Sequence, residues 1–306
     1  MTVDTAIEPR VGRTSIAVAW AVMLLASLLP RVILHEMFGV EVPSVTISIA
    51  SAALLALSLV LAAAWRPLRP LVPFFILFLV LVTAEWLVFV VVDQLPAYRE
   101  WLTDPSFAVY MPAEQSLRLM VTLIVIAALV LLRGRPSRIF LVPGDLAAPM
   151  RRIRWLGVPE GTRWSRFGPL ATLALSAGTL LFLVIAGAPP LDLVLQALPF
   201  LPIVLLCAAL NAFNEEVTYK ASFLSVLEGP VGRGHALFMV GAYFGIGHYY
   251  GVPYGLIGVA MAFLLGWMLG RSMLETRGLF WAWFIHFWQD VLIFSFLAIG
   301  SIRPGG

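Results

Sequence analysis

The chain is written in long apolar runs, each close to the length a helix needs to cross about 30 Å of hydrocarbon. Nine such runs can be drawn, at 15–34, 45–65, 71–92, 116–132, 168–187, 193–212, 235–252, 254–270 and 279–298. Pro30-Arg31 interrupts the first of them. Their lengths suit helices, and the ten-residue alternation of a membrane barrel is missing. The pattern predicts an all-α, polytopic transmembrane helical bundle of about eight or nine spans.

Composition agrees. Hydrophobic residues make up 61% of 306 positions and charged residues 12%, and mean hydropathy is +0.95. One soluble core cannot bury that many apolar segments, so lipid is the solvent. Membrane lipid is therefore an expected partner. Phosphate-binding glycine loops and aromatic-basic motifs are absent, and nucleic acid is not an expected partner. The single cysteine, Cys207, lies in an apolar run without a partner and is read as a small hydrophobe.

Charge then supplies a topology. Arg10 and Arg13 precede the first run, and Arg66 and Arg69 separate the second from the third. The longest polar stretch, 133–167, holds eight arginines against Asp145 and Glu160, whereas 93–115 mixes Asp93, Arg99, Glu100 and Asp104. This asymmetry predicts a cytoplasmic N-terminus and a cytoplasmic 133–167 loop. The first span is expected to be uncleaved, since no clear A-x-A-like site follows it and Pro30-Arg31 interrupts the run. The expected location is a bacterial cytoplasmic membrane, which the protein crosses several times. The arginines also suit anionic lipid head groups. Three regions follow: N-terminal helices over 1–132, the basic loop over 133–167, and a second transmembrane region over 168–306. Arg118, at the start of a short fourth run, reads as snorkelling to the interface.

Polar residues inside apolar helices cost insertion energy and tend to face a cavity or one another. In the first half the clear case is Glu85, without a local cationic partner and read as structural. The second half holds three groups. In Asn211-Ala-Phe-Asn214-Glu215-Glu216-Val-Thr-Tyr-Lys220, adjacent carboxylates diverge by about 100° on a helix and cannot share one target. Glu216 and Lys220 are i and i+4, an ion-pair spacing, which leaves Glu215 the freer carboxylate. In Phe244-Gly-Ile-Gly-His248 the ring packs beside the imidazole, and the two glycines permit close approach of another helix. In His286-Phe-Trp-Gln-Asp290 the carboxylate either fixes the imidazole tautomer or joins it in facing one ligand.

The order EExxxR, FxxxH, HxxxN/D on successive membrane helices resembles the CPBP family, the CAAX-protease and bacteriocin-processing (Abi) intramembrane endopeptidases. The resemblance covers about the last 120 residues. It implies a protease that hydrolyses a peptide bond without a covalent acyl-enzyme, acting on prenylated CAAX-type or other membrane-associated peptides or proteins. By position, Glu215 and His248 would activate a water, His286 and Asp290 would orient the oxyanion, and Glu216 would be held by Lys220, with Phe244 in support. Two variants of the chemistry follow: no bound metal, which the reading favours, or zinc held by Glu215, His248 and His286. Lys220 stands where the family has arginine, and lysine lacks the planar fork that clamps a carboxylate.

Two other functions compete. Intramembrane Glu and His also build proton-coupled transporters, and the family fold also suits a non-catalytic binding or immunity protein. A geometric difficulty accompanies the motifs. With nine straight spans, Glu215 falls at one face, His286 about 10 Å below it and His248 about 20 Å deep, and they converge only if 193–227 is not one straight span or if the seventh helix starts farther out.

Overall fold

The structure, a computed structural model, describes residues 12–103 and 106–302. Arg10 and Asp104, used above for orientation, lie outside the described residues, as does the side chain of Asp93. The described chain is helical throughout apart from its loops. Among the described residues the only β-type pairings are two isolated bridges, Pro149 with Arg163 and Ile153 with Val158. In chain order the helices are α1 (Arg13–Leu25), α2 (Leu29–Phe38), α3 (Ser44–Ala64), α4 (Val72–Trp86), α5 (Pro96–Trp101) and α6 (Phe107–Arg133). They continue as α7 (Trp164–Gly187), α8 (Leu191–Ala197), α9 (Leu201–Glu215), α10 (Ser222–Gly247), α11 (Leu256–Thr276) and α12 (Phe280–Ser301).

Among the described residues seven helical stretches are long and apolar enough to cross a membrane, or eight if the bent pair α1–α2 is one span. The protein is a multi-pass integral membrane protein. The expected first span is broken by 55° between Leu25 and Leu29, where Pro30 enters at the start of α2. The fourth span was drawn too short. It begins at Phe107 rather than near 116, because Pro112, Glu114 and Gln115 interrupt its apolar pattern without breaking the helix. Arg118 is consequently three turns inside α6 and does not snorkel at its start.

The sixth and seventh expected spans are joined. Residues Leu191–Gly247 form one helical run of 57 residues, about 85 Å if straight, which no bilayer accommodates. It reverses at Gly232, whose φ of 80° and ψ of 153° lie where only glycine sits without strain. Side chains before and after the turn meet in antiparallel register. The Tyr219 and Tyr243 rings are 6.1 Å apart and the Phe223 and Tyr243 rings 5.0 Å apart. Lys220 Nζ stands 3.3 Å from the centre of the Phe244 ring. These pairs straddle Gly232, and Glu216 and His248 lie sixteen residues to either side of it. Each arm is about 24 Å long from the turn to those residues at 1.5 Å per residue, so the carboxylate and the imidazole arrive at one level. The depth mismatch expected from straight spans is thereby removed: the helix carrying Glu215 does not end near 212 but runs on to Val231.

Helix α11 packs against the returning arm through small residues. A Cβ on Gly245 would lie 2.7 Å from the Val259 carbonyl oxygen, and one on Gly241 would lie 3.2 Å from Phe263. Gly247 is different. It has nothing within 4 Å of a Cβ position and does not serve helix contact as expected.

Most arginines gather at one end of the bundle. The 134–163 segment folds onto the α11–α12 turn, where Asp145 N–H donates to Thr276 O at 2.8 Å and Leu279 N–H to Val142 O at 2.8 Å. Arg277 makes two hydrogen bonds to Glu228, at 2.6 and 2.8 Å. Ser15 Oγ donates to Pro67 O, which places the 66–71 segment at the same end. The opposite end is tied by Tyr254 donating to Glu36 and by Phe107 against Phe200 at 5.8 Å. That hydrogen bond pushes the Tyr254 hydroxyl up to about 12.

Gly232→Ala is expected to destabilise the protein by about 1–3 kcal/mol, the cost of a side chain in that backbone region. Gly234→Ala, with nothing within 4 Å of its Cβ, is expected to leave stability unchanged. Thermal unfolding of the two variants in detergent checks the contrast.

Candidate active site

The site is assembled at the junction of α9 and α10. There the helix widens into a π turn over Glu216–Ala221, a local irregularity often found at functional positions. Glu215 and Glu216 point apart. Glu216 is fully buried and its Oε1 accepts two contacts, Lys220 Nζ at 2.7 Å and His286 Nδ1 at 2.7 Å. The Lys220 contact is one of charge, since the ammonium is not aligned for a hydrogen bond and Glu216 Oε2 has no hydrogen-bond partner. Lys220 is itself fully buried, capped by the Phe244 ring face. One carboxylate therefore anchors a cation on its own helix and an imidazole on α12.

Glu215 turns toward open space. Its Oε1 accepts from Asn211 Nδ2 at 3.3 Å and lies 3.5 Å from Arg118 Nη1, and its Oε2 lies 3.6 Å from His286 Nε2. Asn211 also donates to Asp290 Oδ2 at 3.0 Å, and Asp290 Oδ1 is 3.6 Å from His286 Nε2. Asp290 is thus not the residue that fixes the His286 tautomer. Glu216, from another helix, takes that ring nitrogen, while Asp290 and Glu215 flank the other.

His248 ends α10. Its Nδ1 is 2.7 Å from the Phe244 carbonyl oxygen, and because a carbonyl only accepts, Nδ1 carries the proton and Nε2 is left as the acceptor. The imidazole packs on the Phe244 ring with centroids 4.3 Å apart. Phe244 is also edge-on to His286 at 6.0 Å, so one ring spaces both histidines and the lysine.

Glu215 and His248 line one cavity of about 420 Å³. Glu85, Arg118, Tyr219 and Tyr243 complete its polar wall, and Ser27, Ser48 and Ser51 face them from the α1–α2 break and α3. Glu85 pairs across helices, for its Oε1 accepts from Tyr219 OH at 2.8 Å. The first half of the chain therefore supplies part of the site. Sequence reasoning missed Arg118, Asn211 and the partner of Glu85. Glu114–Arg118 and Asn211–Glu215 at i,i+4 were visible signals, since both pairs do meet, at 3.2 and 3.3 Å. The Tyr219–Glu85 contact spans 134 residues and left no local trace.

One nitrogen of each histidine is held by another protein group, Phe244 O for His248 and Glu216 Oε1 for His286, which leaves the other nitrogen of each ring. Among the described residues no group of three or more His, Cys, Asp or Glu is placed to hold a metal ion as the side chains stand.

Lys220→Met is expected to cost about 3–5 kcal/mol, because Glu216 is left as a buried charge with its cation removed. Lys220→Met with Glu216→Gln is expected to recover much of that loss, and a double-mutant cycle of unfolding free energies measures it.

Residues 197–292 match the family model described as Rce1-like, type II CAAX prenyl endopeptidase Rce1-like. No curated protein and no solved structure matches the chain. The matched stretch contains Glu215, Glu216, Lys220, Phe244, His248, His286 and Asp290, and stops short of half the chain. This match and the order of the motifs are consistent, over the segment that carries the site, with the CPBP family of intramembrane endopeptidases.

Proposed function

We propose that the protein is an intramembrane endopeptidase that hydrolyses a peptide bond by attack of a water held between Glu215 and His248. The observation that carries this reading is the pairing of two proton acceptors, the Glu215 carboxylate and His248 Nε2, on one cavity inside the membrane-spanning region. A water there donates to both, and general-base removal of one proton makes its oxygen nucleophilic. The oxygen adds to the scissile carbonyl carbon, the carbonyl π pair moves to oxygen, and Glu215 takes the proton. Collapse of the tetrahedral species breaks the C–N bond, and the proton held by Glu215 or His248 passes to the leaving amine.

Positive charge meets the developing oxyanion. His286 is held by Glu216 on one nitrogen and flanked by Asp290 on the other. Arg118 lines the cavity itself, 3.5 Å from Glu215. Such groups, fixed before the reaction in a region of low dielectric, stabilise charge without reorganising. Asp290 acts through His286 and Asn211 rather than as a donor to the oxyanion. A tetrahedral intermediate needs no serine or cysteine here, and no step passes through a metal. Lys220 in place of arginine meets the charge requirement of Glu216 with one point contact.

Prenylated CAAX-type tails are the substrate that the matched family model names, and other membrane-associated peptides fit the same chemistry. Reconstituted protein offered prenylated and transmembrane peptides is expected to cut one of them. Glu215→Gln and His248→Ala are expected to lower the rate by about 100- to 10,000-fold, the range for loss of a general acid–base group. Cleavage that survives either substitution defeats the mechanism. Chelators are expected to leave the rate unchanged, and a loss restored by zinc would overturn the metal-free reading. If no peptide is cut by the wild type but Lys220→Arg cuts, the natural protein is a binder that kept the fold.

A further inference from the structure

The groups that line the cavity sit far from the arginine-rich end. Ser48 and Ser51 fall in the first two turns of α3, whose other end leads to Arg66. Leu28 lies at the α1–α2 break, a full helix away from Arg13, and Glu85 lies near the end of α4, which begins just after Arg69. His248 closes α10 opposite its turn at Gly232 and Arg233. Gly247, which makes no helix contact, is exposed and forms part of the rim. The cavity therefore reaches toward the end built from 39–43 and 248–255.

The two ends differ in charge. The 134–163 loop alone carries Arg135, Arg138, Arg151, Arg152, Arg154 and Arg163, with Arg66, Arg69, Arg233 and Arg277 at the same end. At the opposite end the segments 39–43, 188–190 and 248–255 contain no lysine or arginine, and 92–106 contains Arg99 alone. In multi-pass proteins the ends rich in lysine and arginine stay in the cytoplasm.

Resting on the endopeptidase reading for its chemistry, we infer that the cavity opens to the non-cytoplasmic face, and that the substrate is a peptide presented at that face or from the outer leaflet. A prenylated tail on a cytoplasmic protein approaches from the wrong side. It would meet the docked 134–163 loop and the packed helices α10 and α12 between itself and Glu215. A peptide in the outer leaflet instead meets the rim at α2, α3 and the 248–255 loop directly. Apolar side chains are exposed on that rim, including Phe38, Val252 and Leu256, and the acids Glu85 and Glu215 with Arg118 lie beneath it.

Single cysteines placed in a Cys207→Ala protein test the sidedness independently of activity. Ser48→Cys marks the cavity and Arg154→Cys marks the arginine-rich loop, and the probe is a membrane-impermeant charged maleimide. Ser48→Cys is expected to be labelled in right-side-out vesicles with loss of labelling in inverted ones, and Arg154→Cys the reverse. Labelling of both from the same face overturns the inference, as does a Ser48→Cys that is labelled in detergent but from neither face of a vesicle. Proteoliposomes sorted by orientation give a second readout, with cleavage of an added peptide expected only where the arginine-rich end faces the lumen. If labelling is as expected and no peptide is ever cut, the sidedness stands and the protease reading fails. If cleavage occurs only from the arginine-rich face, the protease reading stands and the sidedness fails.

Discussion

A carboxylate sealed inside a membrane helix bundle is tolerated only if its charge is met at once. Glu216 meets that condition twice, through Lys220 one turn along its own helix and through the imidazole of His286 on α12. Other contacts depend on this arrangement. Lys220 is held against Phe244, Phe244 spaces His248, and His286 presents its second nitrogen to Glu215 and Asp290. The two adjacent glutamates thus divide their work by direction. One is turned into the protein as an electrostatic post, and its neighbour, about 100° around the helix, is left facing the cavity.

The bundle around this post explains why the polar groups do not scatter through the membrane. Asn211 bridges Glu215 and Asp290, and Thr122 Oγ1 hydrogen-bonds both Asn214 and Thr218 beside them. Asn211, Thr122, Asn214 and Thr218 thus each find a partner on another helix, which fixes helix rotation as well as satisfying the group. α6 enters this network through Arg118 and Thr122, and α4 through Glu85. The segment matched by the family model supplies Glu215, Glu216, His248, His286 and Asp290, while the helices before it wall the cavity.

The bundle and the motif positions were legible in the sequence because both rest on local patterns: long apolar runs, and polar residues at i,i+4 within them. Glu216–Lys220 and Phe244–His248 meet as their spacing requires. The path of the chain between the motifs was harder to read. Glu-Gly-Pro-Val-Gly-Arg-Gly at 228–234 is a turn signal, but Ser222–Leu227 between the motif and that turn is only moderately apolar, so the span was closed too early. It is buried against protein instead of lipid, and hydropathy does not report that difference. Arg118 was misplaced for a related reason, since Pro112 and Glu114 mimic a helix end. Glu85 was left without a partner because Tyr219 reaches it only in three dimensions.

The reversal at Gly232 makes the distance between Glu215 and His248 a matter of counting. Both arms hang from one pivot, so adding a residue to one arm shifts its polar side chain by about 1.5 Å and swings it by about 100° relative to the other. Matching the change on both sides of the turn restores the level but not the facing, whereas the outer ends of the same helices, beyond Glu215 and His248, are free of that constraint. The sequence between the two motifs thus works as a ruler, and its length is under tighter constraint than most of the letters written along it.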